Sequence, residues 1–236
     1  PAYHLLGQLA FQSGRDDIAA QLLHNAVILD ESKATYHRDL AEVVYALGNP
    51  KDALNIIERA LRLRQDDPKS HYVAAMALSA IGAKEKAIQA YNNTLQLNPH
   101  FGLVYNNLGA LFEENGQIED AKKAYTKAIE INRNHVEAQN NLAVILVAEG
   151  DIKKAQNHFE YYESLLEVEN VSVSQLEQAV DSVINIYQKD TNHLEIIKIA
   201  HHFSVNLFKK KEYKKSIRYG KKEVLLYEKL GLQDKK

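Results

Sequence analysis

Apolar residues recur along the chain at helical spacing, in short stripes separated by polar turns. Two sets keep one register: Leu6, Leu40, Ala74, Leu108 and Leu142, then Leu23, Ile57, Tyr91, Tyr125 and Phe159, each residue 34 positions after the last. Stripes with this spacing predict amphipathic helices, and a fixed period of this length predicts a repeat array. The two sets therefore mark two helices per unit, A then B, whose apolar faces form a core that continues from unit to unit.

Small residues share the register. Gly7, Ala41, Ala75, Gly109 and Ala143 form one column, and Ala19, Ala53, Ala87, Ala121 and Ala155 a second. A missing side chain lets two helix backbones approach, so these columns are placed where A and B cross. Between them stand Gly14, Gly48, Gly82, Gly116 and Gly150. Glycine there ends helix A in the left-handed conformation without a Cβ penalty. Asn49-Pro50 and Asp67-Pro68 each place an N-cap residue before a first-turn proline, and Asp151 is the expected cap of the fifth helix B.

The fourth unit, with Tyr105, Leu108-Gly109, Phe112, Gly116, Ala121 and Tyr125, resembles the tetratricopeptide repeat. The third supplies the Asn98-Pro99 ending, which other units replace with Glu31, Gln65 and Arg133, and His37 and His71 occupy the first aromatic column. The resemblance implies an all-α fold, a right-handed superhelical array of antiparallel helix pairs. About six repeats with one extra spacer helix are expected. Five repeats fill 1–168. Past Gly150 the period breaks, since Ile184 stands where the next glycine would fall. Ser174-x-x-Glu177 reads as the capping box of a spacer helix within 169–191. A degenerate terminal repeat or cap follows over 192–230, then a tail over 231–236.

In this family helix A lines the inside of the superhelix, so helix A residues off the core stripe are the expected contacts. The columns read His4, Arg38, Tyr72, Asn106, Asn140; Leu5, Asp39, Val73, Asn107, Asn141; Gln8, Glu42, Met76, Ala110, Val144; and Phe11, Tyr45, Ser79, Glu113, Val147. The expected binding groove comprises Arg38, Glu42, Tyr45, Tyr72, Met76, Asn106, Asn107, Glu113, Asn140, Asn141 and Val144. Asparagine can bond both N–H and C=O of an extended peptide, while Tyr72 and Met76 offer an adaptable apolar anchor. The alternative is that the asparagines only bridge neighbouring helices A. Asn107 and Asn141 also resemble the start of the asparagine ladder in the repeat region of protein O-GlcNAc transferases. The carboxylate clamp of chaperone adaptors is not matched, because Tyr72 and Val73 follow Lys69 and Glu42 adds the wrong sign.

Composition narrows the function. The chain of 236 residues has no cysteine, which removes disulfides, thiolate metal sites and cysteine nucleophiles. Its net charge of −2 gives no global attraction to nucleic acid. No apolar run reaches the ~18–20 residues that cross a bilayer. Residues 209–236 hold eleven basic and four acidic side chains, a balance of +7 that reads as the charged face of a terminal cap or, alternatively, as a surface that docks an acidic partner or nucleic acid. No phosphate-loop, dinucleotide, nucleophile-elbow or zinc-protease motif is present, and the histidines are scattered. The expectation is a non-catalytic scaffold without cofactor that binds a peptide or protein segment, with self-association through the array ends as a further option. The alternative is the recruiting region of a larger enzyme, such as a glycosyltransferase; a start at Pro1, already inside a helical pattern, suggests upstream sequence. Compartment is not legible.

Overall fold

The computed structural model describes residues 1–151, 153–155 and 157–158, with Val147 described by its backbone alone. The end of the fifth repeat with Phe159, the spacer helix, the terminal repeat and the tail lie outside the described residues. The chain divides into two compact units, Pro1–Ile131 and Asn132–Lys236.

The first unit is four helix pairs: α1 (Ala2–Gln12) with α2 (Asp16–Leu29), α3 (Ala34–Ala46) with α4 (Pro50–Leu63), α5 (Pro68–Ala80) with α6 (Lys84–Leu97), and α7 (Gly102–Glu114) with α8 (Ile118–Ile131). Each helix packs on the next in sequence, and the first helices of adjacent pairs also meet, α1 on α3 and α3 on α5. The core is a series of clusters at successive junctions. Ala19, Leu23, Leu40 and Val43 form one, Ala41, Ile57, Ala60 and Val73 the next, and Ala75, Tyr91, Val104 and Leu108 a third. Contacts that reach only the neighbouring pair are the signature of a one-dimensional array. In the second unit, α9 (Val136–Ala148) is followed by a turn at Gly150 and further helical residues.

The turn column behaves as its chemistry requires. All five glycines have φ between +70° and +82°. In the first, Gly14 N–H donates to Phe11 O and Arg15 N–H to Ala10 O, the paired bonds of a Schellman motif, and the later turns repeat the second bond through to Asp151 N–H on Leu146 O. The small columns are buried at the crossings. A Cβ on Gly7 would lie 2.7 Å from Leu23 Cγ, and one on Gly109 would lie 2.5 Å from Tyr125 Cε1.

Two expectations need correction. Leu6 is 52% exposed, whereas the equivalent Leu40 is 6% exposed beneath the pair before it; α1 is the first described helix. Asn49 and Asp67 do hold the N-cap positions before Pro50 and Pro68, but neither side chain bonds a helix N–H. The proline already supplies the helical φ, and the Asp67 carboxylate is turned to other partners. Asp151 does accept from the Lys154 N–H through Oδ1 at 3.4 Å.

Candidate binding face

The first helices of the pairs carry a continuous polar seam. Asp39, 7% exposed, accepts at Oδ2 from Gln8 Nε2 (2.8 Å) and bonds His4 Nε2 (2.7 Å). Its Oδ1 takes Arg38 Nε (2.7 Å). The same guanidinium reaches Asp67 Oδ2 (3.3 Å), which also accepts from Ser70 Oγ (2.7 Å). Side chains of α1, α3 and α5, with Asp67 at the α5 N-cap, are thus tied in one chain. Burial tends to raise the Asp67 carboxyl, but the Ser70 hydroxyl and the Arg38 charge outweigh it and hold it below the ordinary value. A depressed carboxylate stabilises the fold above its unfolded value, and that contribution is lost as pH falls through the folded one.

Glu42 follows the opposite rule. It is half-buried on α3, and burial, then the nearby Asp39 charge, push its carboxyl up despite Arg38 and Lys69. Arg38 is committed to Asp39 and Asp67, and Glu42 forms no ion pair or side-chain hydrogen bond among the described residues. A raised carboxylate favours the fold at pH below its unfolded value, and that advantage disappears as pH rises through the folded one. Glu42→Gln is therefore expected to raise the urea midpoint at pH 7, with the difference from wild type shrinking as pH falls toward the ordinary value of 4.5. A lower midpoint at pH 7 would contradict this account of the site.

The remaining expected contacts fall into two groups. Asn107 donates through Nδ2 to Tyr91 Oη (3.2 Å) and Tyr72 Oη (3.5 Å), and Asn106 Nδ2 approaches Asn107 Oδ1 at 3.5 Å. Tyr72 stacks on Phe101 with ring centroids 4.9 Å apart. Burial, partly offset by the Asn107 bond, pushes the Tyr91 phenol up. Glu113 accepts from Tyr125 Oη at 2.9 Å. Arg38, Tyr72, Asn106, Asn107 and Glu113 thus have partners within the first unit. Tyr45 and Met76 are half-buried, and Met76 packs beside Val73 and Ala74. In the second unit Asn140 is buried with its Oδ1 unpartnered among the described residues, while Asn141 and Val144 are half-buried.

Two columns carry roles that the apolar pattern did not disclose. His37 Nε2 bonds Glu31 O (3.0 Å), His71 Nε2 bonds Gln65 O (2.8 Å), and Gln139 Nε2 donates to Arg133 O (2.9 Å). Each pins helix A to the carbonyl six residues earlier, at the junction with the preceding pair. Histidine stands in an aromatic column because a ring N–H donor suits this job. In the other column, Asp30, Asn98 and Asn132 each accept a backbone N–H two residues on, from Ser32, His100 and Asn134, closing the link between pairs with an Asx turn. The visible sign is an Asx residue at three of the four positions of that column, Arg64 being the exception. His37→Gln is expected to keep the pin, while His37→Leu should cost about 1 kcal/mol more in urea unfolding. Equal stability of the two variants would remove the pin's role.

Among the described residues no three His, Asp or Glu side chains are grouped to hold a metal ion, and no helix is long and apolar enough to cross a membrane.

Comparison with known proteins agrees with this architecture. Tetratricopeptide-repeat family models match residues 4–68 and 38–100, 103–135, and 124–157, together more than half of the chain. No curated protein matches in sequence. Among solved structures, PilF of Pseudomonas aeruginosa is 22% identical with a TM-score of 0.72, the match covering 94% of this chain and 96% of that one. MamA of Desulfovibrio magneticus RS-1 is 19% identical with a TM-score of 0.60, over 72% of this chain and 96% of that one. A chain of the APC/C hetero-tetramer Cut9–Hcn1 is 16% identical with a TM-score of 0.69, over 95% of this chain and 46% of that one. At such identities the likeness is one of fold. Spacing, turns, crossings and family models agree: the chain belongs to the tetratricopeptide-repeat family.

Proposed function

We propose that this protein is a non-catalytic scaffold that holds a segment of a partner protein against the first helices of its pairs. The repeat family supports a protein-interaction role, and one structural neighbour was solved in a hetero-tetramer with another protein, Hcn1. The observation that carries the finer reading is Glu42: a half-buried carboxylate whose nearest guanidinium is already committed elsewhere. A group kept at a cost to folding is readily understood as kept for a guest, here one that brings a basic side chain or a peptide N–H. Met76, in the same column, and Tyr45, in the next, supply adaptable apolar surface. By register, Val144 of the second unit takes the Glu42 column, and Asn140 and Asn141 take those of Arg38 and Asp39. Because Arg38, Asn107 and Glu113 are bonded within the fold, they support the face more than they reach from it.

The test is to pan a random peptide library on the full chain and measure the selected peptides by calorimetry. Glu42→Gln combined with Met76→Ala is expected to weaken them by roughly tenfold or more, as loss of an interface anchor does, while the helical circular-dichroism signal stays unchanged. Undiminished affinity in that variant would place the guest elsewhere.

A further inference from the structure

The first helix pair departs from the other three at two outward columns. Where α4, α6 and α8 carry Asp52, Lys86 and Asp120, α2 carries Ile18. Where they carry Arg62, Gln96 and Glu130, it carries Ile28. The two isoleucines are 46% and 62% exposed. Five of the six polar counterparts are exposed too, including those of α4 and α6, which have a pair on either side. The bare face of α1 (Leu5, Leu6, Leu9) lies in columns that a preceding pair covers; the isoleucine columns do not. Leu29 extends the apolar surface and is 70% exposed, against 45% and 44% for the equivalent Leu63 and Leu97. Residues 18 and 29 are eleven apart, about three helical turns, so they lie within about 20° of one another, roughly 16 Å apart; the half-buried Leu22 and the exposed Asn25 come between them, and Ile28 sits about 80° to the side of Ile18.

The sequence around these positions is net acidic. Residues 1–31 hold a single basic side chain, Arg15, and four acidic ones, Asp16, Asp17, Asp30 and Glu31, so 1 − 4 gives −3 with histidine neutral. Asp30 and Glu31 are partly engaged by Lys33 and Arg59, but Asp16 and Asp17 have no ion pair among the described residues. Exposed apolar surface of this kind on a folded protein marks an interaction site. Apolar residues placed over three turns suit an amphipathic helix, and Asp16 and Asp17 at the first of those turns suit a basic flank. The same negative charge opposes an anionic bilayer.

We infer that α2 is a second docking surface, taking an amphipathic helix of a partner protein whose apolar stripe is flanked by lysine or arginine. It is separate from the proposed face on the first helices.

The test uses the full chain and two fluorescent peptides of about eighteen residues, long enough to form helix on binding. One is a leucine–lysine amphipathic sequence and the other its leucine–glutamate counterpart. By anisotropy at physiological salt, the lysine peptide should bind and the glutamate peptide should not. Ile18→Ser with Ile28→Gln places polar residues in columns that hold them in the other pairs, so the fold should be kept. That variant should bind at least roughly tenfold more weakly, about what one buried aliphatic side chain contributes. Asp16→Asn with Asp17→Asn should weaken binding several-fold and flatten its salt dependence. Failure of the lysine peptide to bind, equal binding of the glutamate peptide, or full binding by the isoleucine variant would overturn the inference. So would a concentration-dependent dimer in sedimentation that the isoleucine variant abolishes, since the occupant would then be a second copy.

Discussion

Gly109→Leu is expected to cost about 3 kcal/mol or more in urea unfolding, because overpacking a closed crossing displaces backbone as well as side chains. Even a single Cβ at this position would meet Tyr125 Cε1 at 2.5 Å, and Tyr125 is fully buried with its hydroxyl bonded to Glu113. The ring has nowhere to turn. Gly109→Ala gains ~1 kcal/mol of helix propensity against the same clash, so its net loss is smaller. The turn column offers a clean contrast. A Cβ on Gly116 meets nothing within 4 Å, but φ is +74°, so Gly116→Ala should cost ~1–2 kcal/mol from backbone strain alone. Gly7→Ala should cost less than Gly109→Leu, since it adds one methyl group rather than four carbons, although that methyl would lie 2.7 Å from Leu23 Cγ and 3.3 Å from its backbone N. If Gly109→Leu unfolded at the wild-type midpoint, the crossing would not be close-packed.

Asp39→Ala is the second large effect. It strips His4, Gln8 and Arg38 of one shared acceptor, in a place where the Arg38 side chain is only 14% exposed. Breaking a buried pair costs about 3–5 kcal/mol, and because Asp67 still accepts from Arg38 at 3.3 Å the lower end of that range is expected. Asp39→Asn keeps an acceptor oxygen and should lose less. Removing Arg38 as well should recover part of the loss, because the two changes act on one interaction. Strict additivity in that double-mutant cycle would mean that the seam is not a network. This seam also ties the first three helices A together, so the binding face depends on it even where its members never touch a guest.

The helix pairs were legible because their causes repeat. Three small columns and two apolar ones recur at a fixed period, and close approach leaves few residue types at Ala19, Ala41 or Gly109. The candidate face was legible only as a set of positions. Reading columns identified Arg38, Asn107 and Glu113, but not that Asp39, Tyr91 and Tyr125 engage them, because those contacts depend on side-chain direction across helices. The junction pins at His37 and His71 were hidden for another reason: histidine in an aromatic column reads as loss of the pattern, yet it gains a bond to a carbonyl six residues back. Asp67 was read as a helix cap from its place before Pro68. It holds that place while its carboxylate serves Ser70 and Arg38.

A guest polypeptide bound as proposed lies on the first helices of the pairs. A photoreactive benzoylphenylalanine at position 76 of α5, or at the exposed position 89 of α6, tests it directly with a library-selected peptide. A covalent adduct from position 76 and none from position 89 is the predicted result. Adducts from 89 with none from 76 would contradict the account.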